Sequence, residues 1–376
     1  MADVLKSLNL LETLKESVDT NKLSDVKDAI EDLLISRINI GIVGERSLEK
    51  TTFLNSLRGL GVGDEGSAVY PAAAAEGVVG YPDPKHSDFR LWDLPPVPTT
   101  SPFDPEPYMD KYKFARYNAV FMTFTEVPQT NTVTIFLGAR SLQNKTVYFV
   151  LLVSGQSKTL EDKRKAGLEI LTSHGVAVPK LYIVNPSYLE KLDFPVLLQD
   201  MGQELPEIRA HALILALPIL TPALVTQKKE AFKALVWAAA SLSGGISTLP
   251  VPFVASMVDS SIGVRILSKA QISMCLDNKS LERLAKLRGL DQCRLKASRT
   301  CVLSVEVSKG EVKTRLAAAE RDLSTASSRM VEMAMPRQAR SASKSFTAML
   351  QALNTAIDEM AADADKIVQL LLTEGQ

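Results

Sequence analysis

The chain has 376 residues, 46% of them apolar and 23% charged, with a formal net charge of zero, as in an ordinary globular protein of two or three units. Balanced charge gives no sign of nucleic acid or of an acidic substrate as partner. Cys275, Cys293 and Cys301 lack C-x-x-C spacing, and His86, His174 and His211 are scattered, which argues against a disulfide framework or a metal cluster and points to a reducing compartment.

In chain order, residues 3–35 predict two short amphipathic helices. Val4, Leu8, Leu11 and Leu14 form the first stripe, and Leu23, Val26, Ile30 and Leu33 the second. Charged residues interrupt the early apolar runs, so no signal peptide is expected. With Ala2 in second position and no cysteine near the C-terminus, the simple lipid-anchor motifs are not expected either.

Residues 37–58 predict a buried strand (Ile38 to Val43), a loop, and a helix from about Lys50. Gly44, Lys50 and Thr51 stand at the spacing of a phosphate-binding loop, G-x-x-x-x-G-K-[ST], with Thr52 following. Glu49 replaces the second glycine. That position lets backbone N–H groups close on a phosphate at a helix N-terminus. A carboxylate there brings like charge into a site made for an anion, at a cost on the order of 1 kcal/mol or more. The alternative is an ordinary strand–turn–helix with a chance Lys-Thr.

Residues 59–84 are rich in Gly, Ala and Pro, and no Thr or Ser lies between Ala68 and His86. Residues 89–93 predict a strand ending in Asp93. Two readings stand for that carboxylate: a ligand to the water shell of Mg²⁺, as in phosphate-loop proteins, or a strand-end cap. The third residue after it is Pro96, which has no N–H to donate. A helix is expected over 104–117, with Tyr108, Tyr112, Phe114 and Tyr117 toward a core. A strand follows at 119–124, a helix at 130–144, a strand at 146–153, a helix at 160–174 and a strand at 180–184. Short apolar strands alternating with helices predict a doubly wound α/β domain with a mostly parallel sheet. Leu152 to Gly155 stand where a guanine-reading [NT]-K-x-D is expected, without a carboxylate. Asn185 is a candidate base contact, or simply a turn-forming Asn before Pro186.

From Phe194 onward the pattern is helical, with helices expected at 197–205, 208–217 and 222–243. Residues 234–258 carry no charged side chain, long enough for a membrane span. Gly244-Gly245 and Pro250-Val-Pro252 favour a buried helical hairpin instead. Residues 288–344 hold 12 Lys/Arg against 6 Asp/Glu, read either as a solvated face or as a surface for anionic lipid or an acidic partner. Residues 346–372 predict one amphipathic helix.

Several islands together resemble the immunity-related, interferon-inducible GTPases. They include Asn39–Gly44, Phe53–Leu60, Leu91–Pro95, Tyr108–Tyr117, Val147–Val150, Leu192–Pro195, Leu249–Pro252 and Asp358–Met360, in order over nearly the whole chain. The resemblance implies a Ras-like G domain over 37–205 and an all-α helical domain made of residues 1–36 and 206–376. It also implies GTP or GDP with Mg²⁺ as cofactor, pairing with itself or with related GTPases through the G-domain face, and a cytoplasmic protein with peripheral contact to internal membranes. Of the family's site residues, Gly44, Lys50, Thr51 and Asp93 survive, Asp93 and Thr51 being the metal candidates. Glu49, Pro96, the missing switch Thr and Leu152–Gly155 depart. Losing two contacts worth about 2–3 kcal/mol each lowers affinity roughly 10³-fold or more. The reading is therefore a pseudo-GTPase acting in regulation, with a slow but genuine GTPase using Lys50, Thr51 and Asp93 as the alternative.

Overall fold

The computed structural model describes residues 38–70, 77–83, 89–143, 145–154, 160–205, 213–218, 221–246, 252–325 and 337–374. The helices expected over 3–35 lie outside these, as do Glu76, Gly155 and the first half of the helix expected at 208–217. The chain divides into two compact units, one spanning Ser36–Ile219 and the other taking in Leu220–Gln376.

The first unit is an α/β layer structure. Its sheet has the order β2-β3-β1-β4-β5-β6, with β1 Ile38–Gly44, β2 Val79–Pro82, β3 Phe89–Asp93, β4 Ala119–Phe124, β5 Thr146–Leu152 and β6 Leu181–Val184. All neighbours run parallel except β2, which pairs antiparallel with β3 at the edge. The central strands are buried on both faces, which is why they read as unbroken apolar runs. Helices α1 Leu48–Leu57, α2 Pro105–Lys111, α3 Thr130–Gln143, α4 Leu160–Ser173 and α5 Phe194–Glu204 belong to the same unit. Phe53 of α1 lies with its ring centroid 5.7 Å from that of Phe121 on β4 and 6.2 Å from that of Phe194 on α5. On α3, Phe136 stacks at 4.5 Å on Phe149 of β5. Such pairs add to area burial in fixing how a helix sits on a sheet.

The helix expected over 104–117 is shorter. It ends at Lys111, Lys113 takes a left-handed conformation (φ 52°), and Phe114–Arg116 form a 3₁₀ turn. The turn lets Tyr108, Phe114 and Tyr117 all reach the core, with Phe114 5.9 Å from Tyr108 and 6.0 Å from Tyr117.

In the second unit, α6 Pro222–Ile246 and α7 Pro252–Ser273 pack together, and the uncharged stretch 234–258 is divided between them. Among the described residues no helix is long and apolar enough to cross a membrane. Four shorter helices follow: α8 Asn278–Arg288, α9 Gln292–Ala297, α10 Val302–Val305 and α11 Lys309–Thr325. The final helix, α12 Arg337–Glu374, lays Met349, Leu353, Ile357, Met360, Ala364 and Ile367 inward at helical spacing and packs on α6, α7 and α11. Lys233 of α6 pairs with Asp358 of α12 at 2.7 Å.

Candidate functional site

Three parallel strands bring their C-terminal ends together at Gly44, Asp93 and Thr123, where open α/β sheets build their ligand sites. Gly44 is set by packing before any ligand is considered. A Cβ added there would lie 2.2 Å from the Thr123 hydroxyl and 2.3 Å from the Thr123 carbonyl oxygen. Thr123 is itself fixed, its hydroxyl donating to the Val43 carbonyl at 2.9 Å. Gly44→Ala is therefore expected to cost about 1–3 kcal/mol of stability by overpacking, read as a lowered melting temperature; an unchanged melt would refute that packing role.

Glu45, Arg46 and Ser47 are the whole connection to α1, because the helix begins at Leu48, two residues before Lys50. The reason is local. Ser47 is an N-cap whose side-chain oxygen accepts from the Lys50 backbone N–H at 3.1 Å, one of the donors a helix start leaves free. A Ser two residues before an acidic first turn is a legible start signal that the motif spacing obscured. The Thr51 hydroxyl donates to the Ser47 carbonyl at 3.1 Å, and the Thr52 hydroxyl to the Leu48 carbonyl at 2.8 Å.

Lys50 lies only 4% exposed. Its ammonium donates to the carbonyls of Gly44 at 3.1 Å and Leu94 at 3.0 Å, and forms an ion pair with Asp93 Oδ1 at 2.7 Å. An ammonium has three N–H donors; two go to these carbonyls, and the Asp93 contact is an ion pair in which the buried Oδ1 receives no hydrogen bond. Burial lowers the Lys50 pKa from its usual range; the Asp93 carboxylate opposes that shift and Arg46 adds to it.

Glu49 sits in the first turn of α1, half buried, where the helix dipole favours negative charge. Its side chain crosses to the end of β5, and the Ser154 hydroxyl donates to Glu49 Oε1 at 2.8 Å. Glu45 accepts from the Gln129 side-chain amide just before α3.

The segment after β3 is held along its length. Leu94 N–H bonds to Ile42 O at 2.9 Å. Tyr108 OH donates to Pro95 O at 2.5 Å. The Asn131 amide donates to Pro98 O at 2.6 Å and Thr100 O at 3.0 Å. The segment after α1 is tied by Asn55, which both donates to and accepts from the Ala68 backbone (2.9 and 2.7 Å), and by Arg58, which donates to Gly66 O and Pro82 O. These anchors, Ser47, Asn55, Arg58 and Asn131, are the residues that motif reading missed. Only the Ser47 cap carried a local signal.

Of the residues singled out from the sequence, Gly44, Lys50 and Asp93 meet directly, and Glu49 meets Ser154. Thr51 and Thr52 spend their hydroxyls on their own helix. Asn185 makes local bonds: its side-chain oxygen accepts from Ser187 N–H at 3.0 Å and its carbonyl from Tyr188 N–H at 3.1 Å, a side-chain-closed turn. Pro96 is exposed.

A family model described as interferon-inducible GTPase matches residues 7–370. The chain is 29% identical to interferon-inducible GTPase 5 of Bos taurus, over 97% of this chain and 82% of that protein. It is 28% identical to interferon-inducible GTPase 5 of Rattus norvegicus, over 99% and 85% respectively. It is 26% identical to interferon-inducible GTPase 1 of Mus musculus, over 70% and 67%.

Proposed function

We propose that this chain, which belongs to the interferon-inducible GTPase family, is a pseudo-GTPase of that family. In this reading it binds GTP or GDP weakly or not at all and does not turn GTP over. It acts as a regulatory protein of cell-autonomous immunity, pairing through its G-domain face with copies of itself or with related GTPases. It is cytoplasmic, with peripheral contact to internal membranes.

The observation that carries the reading is the state of Lys50. The side chain that would hold a β- or γ-phosphate is buried, hydrogen-bonded to two carbonyls and ion-paired with Asp93 within its own fold. The surrounding residues do not fit Mg²⁺ and GTP. The Thr51 hydroxyl is directed at Ser47 O, and Asp93 faces a lysine rather than an open ligand position. Glu49 puts its charge at the helix start, and Ser154 stands in the guanine-reading tetrapeptide with its hydroxyl turned to Glu49. Phosphoryl transfer depends on phosphate, metal, switch and base contacts together, and with these residues so engaged the loop is not arranged for hydrolysis.

The closeness of Lys50 and Asp93, 2.7 Å, also favours a second reading, a slow GTPase in which nucleotide and metal displace that pair. Calorimetric titration of the purified chain with GDP and GTP in the presence of Mg²⁺ separates the two. The pseudo-GTPase gives no saturable heat up to about millimolar nucleotide, a binding free energy weaker than about −4 kcal/mol. Micromolar binding would overturn it and install the second reading.

A further inference from the structure

The site holds two carboxylates against its two positive features. Asp93 meets the buried ammonium of Lys50 at 2.7 Å. Glu49 lies in the first turn of α1, the positive end of the helix, and accepts from the Ser154 hydroxyl beyond β5 at 2.8 Å. A polyphosphate arriving at this loop would need the same ammonium and the same helix end. We propose that the phosphate loop is self-liganded: Glu49 and Asp93 are its internal anion, and the two together hold it shut against phosphate.

This inference rests on the pseudo-GTPase reading and names what enforces it. It inverts the role of Asp93, from a metal ligand to the group that occupies the lysine. It also requires both carboxylates. With Glu49 alone removed, Lys50 remains paired with Asp93. With Asp93 alone neutralised, the helix end still carries the Glu49 charge, and an anion is repelled at short range. Once both are removed, what opens is a site for phosphates rather than for a base. The contact at the end of β5 is the Ser154 hydroxyl, which can both donate and accept and so does not distinguish guanine from adenine.

The test is a calorimetric series with sodium tripolyphosphate, GTP and ATP, without Mg²⁺ and in low salt. It uses the full chain as wild type, Glu49→Gly, Asp93→Asn and the double variant. Circular dichroism melts confirm folding, and Glu49→Gln/Asp93→Ala replaces the double variant should that one unfold. The expected result is that wild type and both single variants give no saturable binding, while the double variant binds tripolyphosphate roughly tenfold or more tighter than either single. GTP and ATP should then bind it with equal affinity. A double variant that binds no better than the singles overturns the inference. So does a single variant that matches the double, since one carboxylate would then suffice. A preference of tenfold or more for GTP over ATP overturns the base-indifferent part. Tight GTP binding by the wild type overturns the pseudo-GTPase reading itself, an outcome read separately from the variant series.

Discussion

Lys50→Met lowers the stability of the α/β unit by about 2–4 kcal/mol while leaving nucleotide binding unchanged. The substitution keeps most of the aliphatic stem, so the effect comes from the head group. Two carbonyl oxygens at a buried position, Gly44 O and Leu94 O, lose the donor they share, and each unsatisfied buried acceptor costs about 1–3 kcal/mol. Asp93 loses its cation, but its side chain is 33% exposed, so water recovers part of that loss and the total stays below the full cost of breaking a buried pair. Against this, the ammonium itself was costly to bury, as its lowered pKa reports. For a unit of this size the net corresponds to a melting shift of roughly 5–15 °C, measured by circular dichroism in nucleotide-free buffer. In a chain whose lysine served phosphate first, the same change would act on nucleotide affinity and leave the empty protein nearly as stable as before. A melting shift under about 2 °C would show that the three contacts carry no weight and would remove the main support for the pseudo-GTPase reading.

How much of this was legible beforehand divides along the range of the interactions. Strands β1, β4, β5 and β6 announce themselves because both faces of a parallel sheet are buried and the runs need no alternation; β3 instead alternates, with Phe89 and Leu91 buried and Arg90 exposed. The stripe of α12 is equally plain, since helical period and burial coincide along the helix. The edge strand β2 is not legible. Val79–Pro82 contains a glycine and a proline, and it exists because it pairs with β3, where Gly80 lies opposite Trp92 and leaves room that a Cβ would close, at 2.6 Å from the indole. The break after Lys111 is also a tertiary result, because the left-handed Lys113 is sustained by the aromatic cluster it serves. At the site, the spacing of Gly44, Lys50 and Thr51 picks out one loop and helix start, but spacing says nothing about which partner a side chain takes. Lys50 reaches a carboxylate on another strand, and Glu49 reaches a hydroxyl 105 residues away. Such pairings follow from strand order, and strand order is not a local property.

Asp363→Ala is expected to destabilise the helical unit by about 3–5 kcal/mol, with Asp363→Asn losing less. Asp363 is fully buried on α12. Its Oδ2 accepts the backbone N–H groups of Thr300 and Cys301 at 2.9 and 2.8 Å. Its Oδ1 accepts the Thr300 hydroxyl at 2.8 Å and Lys366 Nζ at 2.9 Å. One carboxylate thus fastens the segment leading into α10 to the last helix. Alanine strands two backbone donors and a hydroxyl, and loss of one side of a buried charged network costs about 3–5 kcal/mol. Asparagine can keep its oxygen on the two backbone N–H groups and offer its amide to the Thr300 hydroxyl, so it forfeits chiefly the Lys366 contact, which at 46% exposure of that lysine is worth about 1 kcal/mol or less. The acid dependence has a definite sign. Burial alone would raise the Asp363 pKa, but the Cys301 N–H, Lys366 and the Thr300 donors outweigh it and hold it below the usual carboxylate range. A carboxyl with a depressed native pKa adds stability above its unfolded value and loses that contribution as pH falls through the native one. Denaturant melts of wild type should therefore weaken below about pH 4, and that part of the slope should be missing from Asp363→Asn. An acid limb identical in the two proteins would mean that Asp363 is not the group whose protonation loosens the helical unit.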